Sequence, residues 1–158
     1  AAVDFSSPYF DVTQAVVTVR TSPAAAVKTV QQLKPLRLGV QVGTTSYTAA
    51  AAVNGDFPVE VYNTNGDAKM ALANGEIDAL VADLPTAFAV ANELRDGQMV
   101  GQLPSTPGDV EQFGIVLDKG SSLTRCVTWV VDGLRGNGTL DRLRQRWLTD
   151  AGKAPVLS

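Results

Sequence analysis

Leu36-Arg37-Leu38-Gly39-Val40-Gln41-Val42-Gly43-Thr44-Thr45-Ser46 sets the architecture expected of this chain. Residues 36–40 form a short apolar run that reads as a buried strand, and the alanine-rich residues 47–53 read as a helix. A strand running through Gly-Thr-Thr-Ser into a helix presents backbone N–H groups and hydroxyls at a helix N-terminus, where an anionic group can be held. The same residues also suit an ordinary turn with an N-cap. Asp83 ends a second apolar run, 77–82, and it too has two readings. It can cap a helix starting at Leu84-Pro85, or it can stand as a carboxylate at the carboxyl end of a strand, where ligands of open α/β sheets gather. An anion cradle beside a carboxylate suits a zwitterion such as an amino acid.

Outwards from this stretch, the pattern alternates. Residues 14–20 are β-branched and read as a strand. Ser22-Pro23 opens a helix to about residue 33, with Ala26, Val27, Val30 and Leu33 on its apolar side. Strands are expected at 59–62 and 99–103, and helices at 68–73, stopped by Asn74-Gly75, and at 85–94. Strands separated by helices and tight turns indicate a largely parallel sheet with crossovers. After a loop at 104–109, residues 113–117 read as a strand matching 14–20 in character. Helices follow from Ser121-Ser122 to about 134 and over 140–148, where Leu140, Leu143 and Trp147 share a face that reads as core. The opening residues 3–10 are aromatic and turn-forming, with Pro8 arguing against a regular central strand, and 152–158 read as a loose tail.

The chain has 158 residues, 45% hydrophobic and 18% charged, enough for one cored domain. A net charge of -3 argues against a nucleic-acid surface. Arg135, Arg142, Arg144 and Arg146 read as a solvated helix face. No apolar run reaches the length of a membrane span, and the first residues show no signal-peptide pattern. With no histidine and a single cysteine, most metal sites and the Ser-His and Cys-His nucleophile arrangements fall away. No cofactor is expected. Cys126 shares a periodicity with Leu123, Val127, Val130 and Val131, so a buried thiol is expected.

Five stretches in order resemble one family: VDFSSPYF (3–10), LRLGVQVGTTS (36–46), ALANGEIDALVADLP (71–85), FGIVLDKG (113–120) and LRGNGTLDRLRQRWL (134–148). Together they cover nearly all of the chain and are similar to the extracellular solute-binding proteins of family 3, the type II periplasmic binding proteins of amino-acid ABC importers. The resemblance implies an α/β fold: a type II lobe of βαβ units with a mixed, mainly parallel sheet, plus hinge strands and the C-terminal helices of an incomplete second lobe. It implies the end of lobe 1 and a hinge strand at 1–21, lobe 2 at 22–109, a return hinge strand at 110–120, and lobe-1 helices at 121–158. Asp83 matches the position that binds the ligand α-ammonium. Thr44, Thr45 and Ser46 match the segment that holds the α-carboxylate, and Gln41 a position facing the ligand side chain.

One family feature is not matched. The arginine that binds the carboxylate falls ahead of Ala1, as does the N-terminal segment that builds most of lobe 1. The C-terminal helices are therefore expected to be covered by that segment, by a second chain or by an exchanged copy. The resemblance further implies an extracytoplasmic binding protein, not an enzyme, that presents a small amino-acid ligand to an ABC permease. Two alternatives share the architecture. One is the ligand-binding domain of a sensor or regulator. The other is an enzyme similar to cyclohexadienyl dehydratase, in which Asp83 or Glu76 would act as acid or base. Gln41 and hydroxyls, with no Lys or Arg beside them, favour a polar or neutral amino acid.

Overall fold

The computed structural model of the protein describes residues 2–105, 111–149 and 154–158. In chain order the elements are β1 (Val3–Val12), β2 (Gln14–Val19), β3 (Leu38–Gln41), α1 (Thr45–Ala52), β4 (Glu60–Tyr62), α2 (Asn65–Asn74), β5 (Ala79–Asp83), α3 (Leu84–Glu93), β6 (Gly97–Gln102), β7 (Glu111–Asp118), α4 (Thr124–Gly136) and α5 (Thr139–Arg144). They divide into two units, one of Ala1–Val12 with Thr106–Ala151, the other of Thr13–Ser105 with Gly152–Ser158. The boundary expected at 109/110 lies outside the described residues.

The larger unit is an α/β layer structure around a sheet ordered β4-β3-β5-β2-β6. The β4–β3 and β3–β5 junctions are parallel, and the β5–β2 and β2–β6 junctions antiparallel. Side chains alternate across the sheet with a period of two. Val16, Val40, Ala79 and Val81 meet Ala50 and Val53 on one face; Ala15, Val17, Leu80 and Ala82 meet Ala68, Leu72, Ala87 and Val90 on the other. Strands buried on both faces read as the unbroken apolar runs seen in the sequence. The segment 14–20 supplies β2, a covered strand between β5 and β6.

Helix ends follow local chemistry. α2 begins earlier than its apolar run suggests because Thr64 and Asp67 form a reciprocal capping box, and it stops at Gly75, whose φ of 75° suits a residue without Cβ. The helix expected over 22–33 is two 3-10 turns, Pro23–Ala26 and Val30–Leu33. Val27 is extended (φ -65°, ψ 138°), and Thr29 caps the second turn in a box with Gln32, so the chain restarts rather than continuing. As a result Ala24, Val27 and Leu33 are buried and Ala26 is exposed.

The tail expectation is also corrected. Residues 150–153 are outside the described set, but Val156 bridges Gln102 in parallel, and Leu157 is only 1% exposed. Gly101 makes this possible: a Cβ there would lie 2.7 Å from both Leu157 Cδ2 and Pro155 O.

The smaller unit contains an antiparallel ribbon, β1 with β7, in register from Val3↔Asp118 to Val12↔Glu111. The ladder is irregular on both sides of Pro8, which has no N–H to donate. Phe10 stacks on Phe113 at 5.9 Å, and α4 packs against β1. Asp4 accepts hydrogen bonds from Lys119 Nζ and the Gly120 N–H, which hold its carboxyl below the usual range. Two expectations fail here. Cys126 is exposed rather than buried, and Leu143 and Trp147 lie on the surface rather than in a core. The reason is size. Among the described residues of α4 only Val131 is fully buried, because a two-stranded ribbon offers too little apolar area to cover a helix face.

Candidate functional site

Because β4, β3 and β5 run parallel, their carboxyl ends form one edge of the sheet. Gln41 pairs in register with Tyr62, and Asp83 ends the neighbouring strand. From this edge the chain turns through Gly43, whose φ of 70° is left-handed, into α1. Thr44 is the N-cap in extended conformation. Its hydroxyl donates to Gln41 O at 2.8 Å, so it makes no side-chain cap bond to the first-turn amides. Thr45 is exposed, whereas Ser46 is buried and donates its hydroxyl to Gln14 Oε1 at 2.7 Å. The Ser46 hydroxyl, expected at the anion cradle, is thus engaged with Gln14 instead. Gln41 is half-buried and donates from Nε2 to Asn63 O at 3.4 Å.

Asp83 fulfils the structural half of its reading: Oδ1 accepts the Thr86 N–H at 2.9 Å and caps α3. Asp83 and the tip of α1 lie at the same edge and share a neighbour that sequence reasoning missed. Gln14 is the register partner of Asp83 across β2 and β5, and its carboxamide reaches α1, donating from Nε2 to Thr45 Oγ1 at 3.2 Å. The available signal was a lone amide opening the apolar strand QAVVTV. A polar group buried there must be satisfied by some neighbour, but strand patterning does not say which.

Nearby Tyr62 has its phenol pushed up, first by burial and then by Glu60 and Glu76, so it stays a neutral donor. No group of three or more His, Cys, Asp or Glu side chains able to hold a metal occurs among the described residues. The arginine cluster behaves as a solvated face. Arg135 and Arg144 pair with Asp132 and Asp141 on their own helices, Arg142 bonds Asn137 O and Thr139 Oγ1, and Arg146 lies over Trp147.

No protein-family model matches the chain. The ABC transporter glutamine-binding protein GlnH of Bacillus subtilis (strain 168) is 26% identical over 150 residues, 94% of this chain and 52% of its own length. The L-arginine-binding protein of Pseudomonas aeruginosa is 30% identical over 155 residues, 94% of this chain and 59% of its own. Among solved structures, an ancestral arginine-binding protein bound to glutamine matches with a TM-score of 0.68 at 30% identity, over 92% of this chain and 63% of its own. The chain is thus similar to amino-acid-binding proteins of ABC transporters, the kind of protein its motifs resemble. It spans little more than half the length of these curated relatives. The α/β type II lobe expected from the motifs is the fold observed, with a sheet that is mixed. The solute-binding relatives are binding proteins rather than enzymes.

Proposed function

We propose that this chain is part of the substrate-binding component of an ABC importer and holds a small amino acid, or a related zwitterion, at the carboxyl edge of its five-stranded sheet. The observation that carries the reading is the placing of Asp83 and the α1 tip at one edge, both adjoining Gln14. The Asp83 carboxylate receives the ligand ammonium. The amides of Thr45 and Ser46 with the hydroxyl of Thr45 receive the carboxylate; the Thr44 hydroxyl, expected to join them, has its proton on Gln41 O and would have to turn from it to do so. A desolvated zwitterion needs both an anionic partner and several donors. Gln41 faces the ligand side chain. The relatives' names speak of glutamine and arginine; Gln41 and hydroxyls here favour a polar or neutral side chain.

The lobe holding these residues corresponds to the unit Thr13–Ser105 with Gly152–Ser158, which adds β2 and the C-terminal residues to the expected 22–109 and stops four residues short of its end. Closure of a second lobe over the ligand would bury it and give the permease a shape to recognise. The protein works outside the cytoplasm, as periplasmic relatives do, and performs no covalent chemistry. Further polypeptide covers α4 and α5: a lobe-1 segment, a second chain or an exchanged copy. Calorimetric titration with the twenty amino acids, alongside Asp83→Ala, tests the site. Saturable binding of at least one, weakened by the substitution, supports it; binding of none, or binding indifferent to Asp83→Ala, overturns it.

A further inference from the structure

We propose that Gln14 is a positioning residue for the tip of α1, and that Gln102 couples this positioning to the points where the chain passes between its two units. The inference rests on the reading of that tip as the holder of a ligand carboxylate.

Gln14 is buried, and both ends of its carboxamide are used on one helix turn: Oε1 accepts the Ser46 hydroxyl at 2.7 Å and Nε2 donates to Thr45 Oγ1 at 3.2 Å. An amide is the side chain that offers a donor and an acceptor on one rigid plane. It therefore fixes both the depth and the rotation of the first turn, and with them the direction of the amides at the helix tip. The Gln14 backbone is fixed in turn by pairing with Asp83 and by the Leu103 N–H, which donates to its carbonyl at 2.8 Å.

Gln102 lies one step back along the same network. Its Oε1 accepts the Thr13 hydroxyl at 2.7 Å, and its Nε2 donates to Ala154 O at 2.8 Å. Its backbone N–H donates to Pro155 O at 2.7 Å, and its carbonyl accepts the Leu157 N–H at 2.9 Å. Thr13 opens the larger unit, Gln102 lies three residues before that unit's exit at Ser105, and Ala154 lies two residues after its re-entry at Gly152. One side chain thus ties together the three segments by which the chain enters, leaves and re-enters the unit. The next residue after Thr13 is the one that holds the helix tip. A shift in these connections is transmitted to Gln14, and through it to Thr45 and Ser46. Holding a binding group on packed, hydrogen-bonded neighbours is what keeps its geometry ready for a ligand.

Two measurements test this. In the first, the protein and Gln14→Ala are titrated with the amino acid it binds and with the amide of that amino acid, which lacks the carboxylate. Affinity for the amino acid is expected to fall about threefold to tenfold, while affinity for the amide holds. An equal loss on both ligands marks a general structural effect and overturns the positioning role. Gln14→Glu, which keeps the acceptor but brings charge to an anion site, is expected to weaken the amino acid more than alanine does. In the second, amide hydrogen exchange is followed in the ligand-free protein. Gln14→Ala is expected to speed exchange at Thr45, Ser46 and Tyr47 about tenfold and leave α2 unchanged. Gln102→Ala is expected to speed exchange at Thr45 and Ser46, which it does not touch. Unaltered exchange at the tip in Gln14→Ala overturns the positioning, and unaltered exchange there in Gln102→Ala overturns the coupling. If no amino acid binds the unaltered protein, the functional reading falls, and the exchange result still decides the inference.

Discussion

Asp83 does two jobs whose contributions can be separated, because capping needs an acceptor and ammonium binding needs a charge. Asp83→Asn keeps an oxygen for the Thr86 N–H, and asparagine caps about as well as aspartate. Urea unfolding should therefore move by less than about 0.5 kcal/mol, while calorimetry should show affinity for an amino acid falling about tenfold or more, the cost of losing a charge-assisted bond. Asp83→Ala should lose both, with about 1 kcal/mol of stability gone. Equal binding by the asparagine variant would leave Asp83 as a cap alone. That Thr44 and Asp83 would stand at helix starts was legible in the sequence, because each follows an apolar run and precedes a helical one. Gln14 was not legible, since its partners lie 31 and 32 residues away and strand patterning names a face but no neighbour. Cys126 was misplaced for a related reason: helical periodicity marks an apolar stripe without saying whether anything covers it.

Among the elements, β3 and β5 are aligned at the end away from the site by Asp78 and Arg37. The Asp78 carboxylate accepts the Arg37 backbone N–H at 2.8 Å, its Nε at 3.1 Å and its Nη2 at 2.8 Å. The hydrogen bond from Arg37 holds the Asp78 carboxyl below its ordinary range, against the opposing effect of burial. A carboxyl depressed in the folded state contributes stability above its unfolded pKa of about 4 and loses it as pH falls through the lower folded value. The Asp78 side chain is 14% exposed, but the guanidinium is 42% exposed and partly screened. Asp78→Asn is therefore expected to cost about 1–2 kcal/mol at neutral pH, and urea titrations should show this gap closing below about pH 4. A gap independent of pH would assign the loss to packing instead. The C-terminal residues offer a second check at this scale. Gly101→Ala should expel Leu157 from its seat, destabilising by about 1–3 kcal/mol and raising exchange at the Leu157 amide; an unchanged amide would mean the tail yields without leaving. That seat was illegible because PVLS carries no period, whereas the α2 and α3 boundaries were nearly right because Gly75 and Pro85 act locally.

For the whole molecule, what matters is apolar surface left without a partner in the smaller unit. Trp129 is 76% exposed and Trp147 60%, with Leu123, Val130 and Leu143 also on the surface. Scattered exposed apolar groups are ordinary, but two exposed tryptophans and three exposed aliphatic residues within 123–147 are more than monomers usually leave open on one short segment. The matched relatives carry 41–48% of their length outside the alignment with this chain, enough polypeptide to form such a cover. The 158-residue chain by itself is therefore expected to sediment in a concentration-dependent way and to bind a hydrophobic dye. These are the only two tryptophans, so fluorescence reports directly on this face. Emission should shift to shorter wavelength, and acrylamide quenching should weaken, as association proceeds, because burial removes water from both rings. A single monomeric species that unfolds cooperatively, with emission unchanged across concentration, would show that the face needs no cover, and the proposed partner segment would have no surface to occupy.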